Sequence, residues 1–240
     1  MTLECFVPIP AGPFLMGSET GQDDERPLHE VEVDAFDCAV YPVTQQLYAM
    51  FLAATSHATP REWPDAITAA DLPVTGVSWL DAQAYCQWRA AGGDFVRLPT
   101  EAEWERAARG GLPAAAYPWG DTIPHWLPDG GRGPQPGPWP VTLGEPNGFG
   151  LFGIGANIHE WCADWHAGDY YAHSPARNPQ GPPSGTRRAS RGGAWRHAVT
   201  ISRCAQRSKI DPGFRYTDYG FRVVRAVTPP PFHCNPSSTK

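Results

Sequence analysis

The residue types able to do chemistry gather in two stretches of this chain. The first runs from Asn147 to His173 and holds His159, Glu160, Cys162, Asp164, His166, Asp169 and His173. Its three histidines recur every seven residues, and Glu160, Asp164 and Asp169 lie among them. Metal-binding histidines on one helix face stand four apart and finger-type ligands follow other fixed spacings, so a seven-residue interval in a loop matches no metal motif. These histidines are read as exposed or hydrogen-bonded side chains. The second stretch runs from Arg191 to Tyr219. Trp195, Arg196, His197, Phe214, Arg215 and Tyr216 bring stacking faces and guanidinium forks, which suit a carboxylate-bearing or peptide ligand better than a neutral sugar. Cys204 with His197 or Glu160 would make a nucleophilic pair, but a reactive thiolate needs a partly exposed electropositive site. Arg203-Cys204-Ala205-Gln206-Arg207 reads instead as core.

These side chains must be held by a loop-rich frame. The chain has 240 residues with 25 Gly, 27 Pro and 10 Trp, and 41% of it is hydrophobic, enough for a core between irregular segments. Three helices have clear starts. Thr44 opens one to about Ala54, with Leu47, Met50, Phe51 and Ala54 on one face. Ser78 opens a second, with Asp81 three residues on and Gly92-Gly93 at its end; Thr100 opens a third, with Glu103 at the third position and Gly110-Gly111 beyond. The acids of Thr100-Glu101-Ala102-Glu103 are therefore read as structural. His29–Val33 and Phe221–Arg225 alternate polar and apolar as half-buried strands do. Residues 112–147 and 166–190 are long Pro/Gly-rich loops, a length that in a compact domain goes with function or anchoring.

A net charge of −6 and a pI near 5.7 argue against a nucleic-acid or anionic-membrane partner. No apolar run reaches the roughly 18 residues of a membrane span and no signal peptide is visible, so a cytoplasmic location is expected. The six cysteines form no Cys-x-x-Cys pair; Cys38, Cys86, Cys162 and Cys204 are read as small hydrophobes, and Cys5 and Cys234 as exposed thiols. The arginines from Arg187 to Arg225 are read as partners of carboxylates and carbonyls.

An ordered set of motifs runs through the chain. Phe6–Ser18 opens it, followed by Tyr41-Pro42-Val43-Thr44 and Pro73-Val74-Thr75-Gly76-Val77-Ser78-Trp79. Arg97-Leu98-Pro99-Thr100-Glu101-Ala102-Glu103-Trp104-Glu105, Tyr117-Pro118-Trp119-Gly120, Asn147–Phe152, Arg191-Gly192-Gly193-Ala194-Trp195 and Gly220-Phe221-Arg222-Val223-Val224 complete it. The series resembles the formylglycine-generating enzyme, or sulfatase-modifying factor, family. The resemblance implies a mixed α/β, C-type-lectin-like fold with a small twisted antiparallel sheet, few helices and many ordered loops. It implies that Phe6–Ser18 is a first hairpin, that residues 1–227 form a single domain, and that the Pro-rich 228–240 is a flexible tail. Family oxidases carry two copper-binding cysteines after Arg-Gly-Gly, whereas positions 195 to 203 hold none, so no copper and no copper-dependent oxidase activity are expected. The family's calcium turn falls on Gly153–Glu160, with Glu160 giving a carboxylate, Ala156 and Ile158 giving carbonyls, and Gly153 at the place of an Asn ligand; structural calcium is the expected cofactor. The family groove follows Arg-Gly-Gly-x-Trp and is lined here by Trp195, Arg196, His197, Phe214, Arg215 and Tyr216. The expected function is that of a divergent family member acting on or binding a peptide, protein or small-molecule ligand there. The alternative is a C-type-lectin-like display protein of the kind diversified by retroelements, with residues 195–219 as the displayed surface.

Overall fold

The computed structural model describes residues 5–67, 69–113 and 115–227, so the proposed tail at 228–240 lies outside the described residues. Strand β1 (Phe6–Ile9) pairs antiparallel with β4 (Phe36–Ala39), while β2 (Gly12–Met16) pairs with β3 (His29–Val33). Phe6–Ser18 is thus no hairpin on itself, contrary to expectation. Its two strands are consecutive parts of one arm, and the arm's partner is the returning segment His29–Ala39. Pro8 tolerates this because β1 is the edge of a sheet ordered β1-β4-β9, with β9 at Val224–Ala226.

The three helices form where their caps predict. In α1 (Gln45–Thr55) the Thr44 hydroxyl accepts the Leu47 amide at 3.3 Å. In α2 (Trp79–Ala91) Ser78 and Asp81 form a reciprocal capping box, as do Thr100 and Glu103 in α3 (Glu101–Arg109). Gly110 ends α3 at φ 57°, a left-handed conformation that glycine adopts without strain. α1 and α2 enclose an aromatic core in which Tyr48, Phe51, Tyr85 and Phe221 meet. α3 packs Trp104 into a second core against Ile9, Val31, Val33 and Phe36.

The sheet that matters for function is ordered β7-β6-β5-β8, with β5 at His159–Trp165, β6 at Arg188–Arg191, β7 at Arg207–Ile210 and β8 at Tyr219–Gly220. Its pairings are antiparallel except the last, where His159 and Glu160 of β5 run parallel to Tyr219 and Gly220. The expected strand at Phe221–Arg225 is formed only from Val224, where the chain pairs with β4; Phe221, Arg222, Val223 and Val224 are all buried. The long loops are anchored by asparagines. Asn147 donates to the Ala107 and Ala108 carbonyls at the end of α3, and the Asn157 side chain holds both backbone groups of Trp139, at 3.1 and 2.8 Å. Among the described residues, no helix is long and apolar enough to cross a membrane.

Candidate functional site

A cleft of about 530 Å³ opens where β7 and β8 meet the loop after β6; its lining includes His159, Arg196, His197, Lys209, Tyr216 and Tyr219. Two backbone contacts assemble it. The His159 amide donates to the Asp218 carbonyl at 3.0 Å, and the Trp195 amide donates to the Asn157 carbonyl at 2.9 Å. The first brings the residue before β8 beside the start of β5; the second lays the Trp195–His197 turn over the same place. Gly220 is required for the approach, since a Cβ there would lie 2.2 Å from the Val74 carbonyl oxygen.

Two imidazoles and one carboxylate converge as a result. His197 Nε2 stands 3.2 Å from Asp218 Oδ2, and His159 Nε2 stands 4.0 Å from the same oxygen. Arg196 approaches the other oxygen, with Nη1 at 3.8 Å from Oδ1, and donates to Thr217 Oγ1 at 3.4 Å. His159 and Asp218 are buried, whereas the His197 side chain is 40% exposed at the cleft. The Tyr219 ring covers His159 at 4.7 Å. Burial holds the His159 pKa down to about 4, an effect that the nearby His197 reinforces and Asp218 opposes, so this imidazole is neutral at neutral pH.

The sequence-derived ligand set is brought together in part. Arg196, His197 and Tyr216 line the cleft, and exposed Phe214 stacks on Tyr216 at 5.4 Å. Trp195 is half-buried and lines a smaller neighbouring cavity with Trp139 and Ala156. Arg215 is corrected: its guanidinium turns to the N-terminus of α2, bonds both Asp81 oxygens at 2.7 and 2.6 Å and donates to the Thr59 carbonyl at 3.0 Å. It has no part in the cleft lining.

The calcium assignment also changes. Glu160 is fully buried; Oε1 accepts from Arg222 at 3.0 Å, and Oε2 accepts from Arg222 at 3.1 Å and from the Trp104 indole at 2.8 Å. A carboxylate already neutralised by a guanidinium is a poor ligand for a hard cation, which would have to displace it. Ala156 and Ile158 are buried in the same turn, which Asn157 ties to Trp139. Glu160, the one side-chain ligand expected of this turn, does not fit a calcium cage while it is held by Arg222 and Trp104. Copper does not fit either, because residues 195–203 contain no cysteine and Cys204 is buried, its thiol pKa pushed up to about 12 chiefly by burial. The same burial excludes a Cys204 nucleophile.

The evenly spaced histidines are dispersed, as the spacing argument expects: His166 meets Asp24 at 3.2 Å, and His173 meets Tyr170 edge to face at 5.9 Å. What the spacing misses is that His159 belongs with His197 and Asp218. The available signal was a polar pair, Asp218-Tyr219, directly before the buried Gly220–Val224 string.

The arginines behave as partners of acids. Arg207 forks onto Glu101 at 3.0 and 2.7 Å, Arg203 onto Glu25 at 2.6 and 2.6 Å, and Arg191 bridges Glu101 and Glu105. The bonds of Arg191 and Arg207 join α3 to β6 and β7, and those of Arg203 join the loop before β7 to the loop after β2.

The model of the sulfatase-modifying factor enzyme 1-like domain matches residues 1–227. The chain belongs to this family. It is 34% identical to the formylglycine-generating enzyme of Thermomonospora curvata over 252 residues, covering 79% of this chain and 82% of that enzyme. It is also 33% identical over 239 residues to the serine/threonine-protein kinase pkn1 of Chlamydia caviae, where the match takes 91% of this chain; the chain spans 37% of that kinase's length. Among solved structures, PvdO from Pseudomonas aeruginosa superposes with a TM-score of 0.79 at 26% identity, covering 92% of this chain and 94% of PvdO. The mixed α/β, formylglycine-generating-enzyme-like fold is therefore the family's own.

Proposed function

We propose that this sulfatase-modifying factor-like chain binds a carboxylate-bearing small molecule or peptide in the cleft beside β7 and β8, without copper-dependent oxidase chemistry. The observation that carries the reading is the lining itself. The side chains of Arg196 and Lys209 are 43% and 49% exposed there, beside the rings of Tyr216 and Tyr219; Lys209 Nζ meets Asp24 at 3.2 Å and Arg196 lies 3.8 Å from Asp218, so each keeps donors turned to solvent. A solvent-reachable cation fixes a carboxylate, and the aromatic faces supply apolar contact around it. The buried arginines contribute nothing comparable, since their guanidiniums are already bonded to Glu25, Glu101, Glu105 and Glu160.

The test uses calorimetric titration of a panel of N-acetyl dipeptides with free C-terminal carboxylates, each paired with its C-terminal amide. The carboxylate forms are expected to bind and the amides to bind at least about tenfold more weakly, as loss of one charged hydrogen bond implies. The Arg196→Ala/His197→Ala variant should unfold at the parent temperature and lose this preference. Equal binding of acid and amide, or undiminished binding by the double variant, overturns the reading. A second reading as a display surface is favoured by the exposed Phe214–Tyr216 stack next to the cleft. It requires a macromolecular ligand whose affinity falls in Phe214→Ala as well as in Arg196→Ala.

A further inference from the structure

We propose that His159, His197 and Asp218 form a mononuclear site for a divalent transition metal of the Zn²⁺ or Fe²⁺ class, with open coordination positions facing the cleft. One ligand atom from each of the three side chains lies within 4.8 Å of the other two. A tetrahedral ion with bonds of about 2.0–2.1 Å holds its ligand atoms about 3.3 Å apart. The His197–Asp218 separation of 3.2 Å already meets that spacing, and the His159–Asp218 separation of 4.0 Å is reached by a shift of less than an ångström. The exposed His197 ring can close what remains of its own distance to His159, which is within 4.8 Å.

The state of His159 is the independent observation. Its side chain is only 7% exposed, yet neither ring nitrogen makes a well-formed hydrogen bond. Nδ1 faces the Gly192 backbone without good geometry, and Nε2 is too far from Asp218 for a hydrogen bond. Nδ1 is turned to the backbone, as the outer nitrogen of a ligating histidine is, and Nε2 faces the carboxylate across 4.0 Å, a gap too long for a hydrogen bond and close to that spanned by two ligands of one ion. A simple His197–Asp218 hydrogen bond would satisfy those two residues and leave His159 unexplained.

The donor set also indicates the kind of metal. Two imidazoles and one carboxylate suit zinc and ferrous iron, whereas calcium prefers all-oxygen cages and Cu(I) prefers soft sulfur. Asp218 keeps Oδ2 for the metal because Arg196 lies toward Oδ1, the outer-shell arrangement that orients a ligating carboxylate. Three protein ligands leave at least one position free on the side of Tyr216 and Arg196, where a ligand carboxylate or amine would complete the sphere. The site depends on these three side chains and not on the peptide reading above, and it is tested with the metal alone.

Untagged, chelator-treated protein is titrated with Zn²⁺ by calorimetry and with Co²⁺ by visible absorption. About one ion per chain is expected for each, with Co²⁺ giving ligand-field bands of a four- or five-coordinate site. His197→Ala and Asp218→Asn should each weaken Zn²⁺ binding by roughly tenfold to a hundredfold or more, while His173→Ala binds as the parent does. Carbon–proton NMR of the parent's histidine rings gives a readout that does not depend on any variant folding: one equivalent of Zn²⁺ should shift His159 and His197 together. Absence of saturable binding, unchanged binding in both ligand variants, or His159 and His197 resonances unmoved by Zn²⁺ would overturn the site.

Discussion

Arg222 and Glu160 face each other through hydrogen bonds of 3.0 and 3.1 Å, with both side chains sealed from water. Arg222 also donates to the carbonyls of Ala39, Val40 and Phe152, so this one ion pair ties β4, the Phe152 turn and β5 to the run before β9. Removing either partner strands the other charge in the interior. Arg222→Ala is expected to lower unfolding free energy by about 3–5 kcal/mol in urea titration. Millimolar calcium should leave the melting temperature of the parent unchanged, since Glu160 has no spare charge to offer.

Asp81 gives a pH dependence of defined sign. Burial alone would raise its carboxyl pKa, but hydrogen bonds from Arg215, Ser78 and His57 outweigh burial and hold it below the usual carboxylate value. A depressed folded-state pKa contributes stability that is fully present above the unfolded value near 3.9 and is lost as pH falls through the lower folded value. Asp81→Asn should therefore cost about 2 kcal/mol at neutral pH and flatten the stability curve below about pH 4, measured by urea titration across that range. A parallel acid limb in the variant would contradict the assignment.

The thiols predict chemical silence. Cys38, Cys86 and Cys204 are buried with pKa values raised to about 12, so only Cys5 among the described cysteines should react quickly with a disulfide reagent in the folded state. With Cu(I) and a Cys-x-Pro-x-Arg peptide, mass spectrometry should find the substrate cysteine unconverted. Formation of an aldehyde would require a copper site that these residues do not provide.

Arg188 lies between two indoles, 3.8 Å from the Trp79 ring and 3.5 Å from the Trp165 ring, and donates to the Ala163 carbonyl at 2.7 Å. Both faces of the guanidinium are used. Arg188→Ala should lose about 2 kcal/mol by thermal unfolding, and Arg188→Lys should recover only part of it because an ammonium cannot stack on two rings at once.

The local parts of this fold are legible in the sequence because they are decided within one helical turn. Thr44, Ser78 and Thr100 satisfy amides three residues away, whatever the rest of the chain does. The arginines are legible by type, because a buried guanidinium must meet an acid, but the choice of Glu25 for Arg203 or Glu101 for Arg207 depends on how distant segments dock. Arg215 shows the same limit in reverse: its place in the run after β7 suggested the cleft, and a turn in the backbone aims it at Asp81. Glu160 carries a ligand-like side chain in a ligand-like turn, and only the position of Arg222 reveals its partner. His159 and Asp218 are joined by the register of a two-residue parallel ladder, for which periodicity offers no signal.

That ladder also governs when the site comes into being. His159 waits for Asp218, and β4 waits for β9, so the cleft and the sheet beside it depend on contacts between residues far apart in the chain. Chains dominated by such contacts fold slowly, because long loops must close before any pairing rewards them. During synthesis the segments of the three helices, with their cap residues, leave the ribosome well before Tyr219 does. A nascent chain at that stage has the means to form helices but cannot yet bring the two histidines and Asp218 together, so the cleft is among the last features of the fold to be completed.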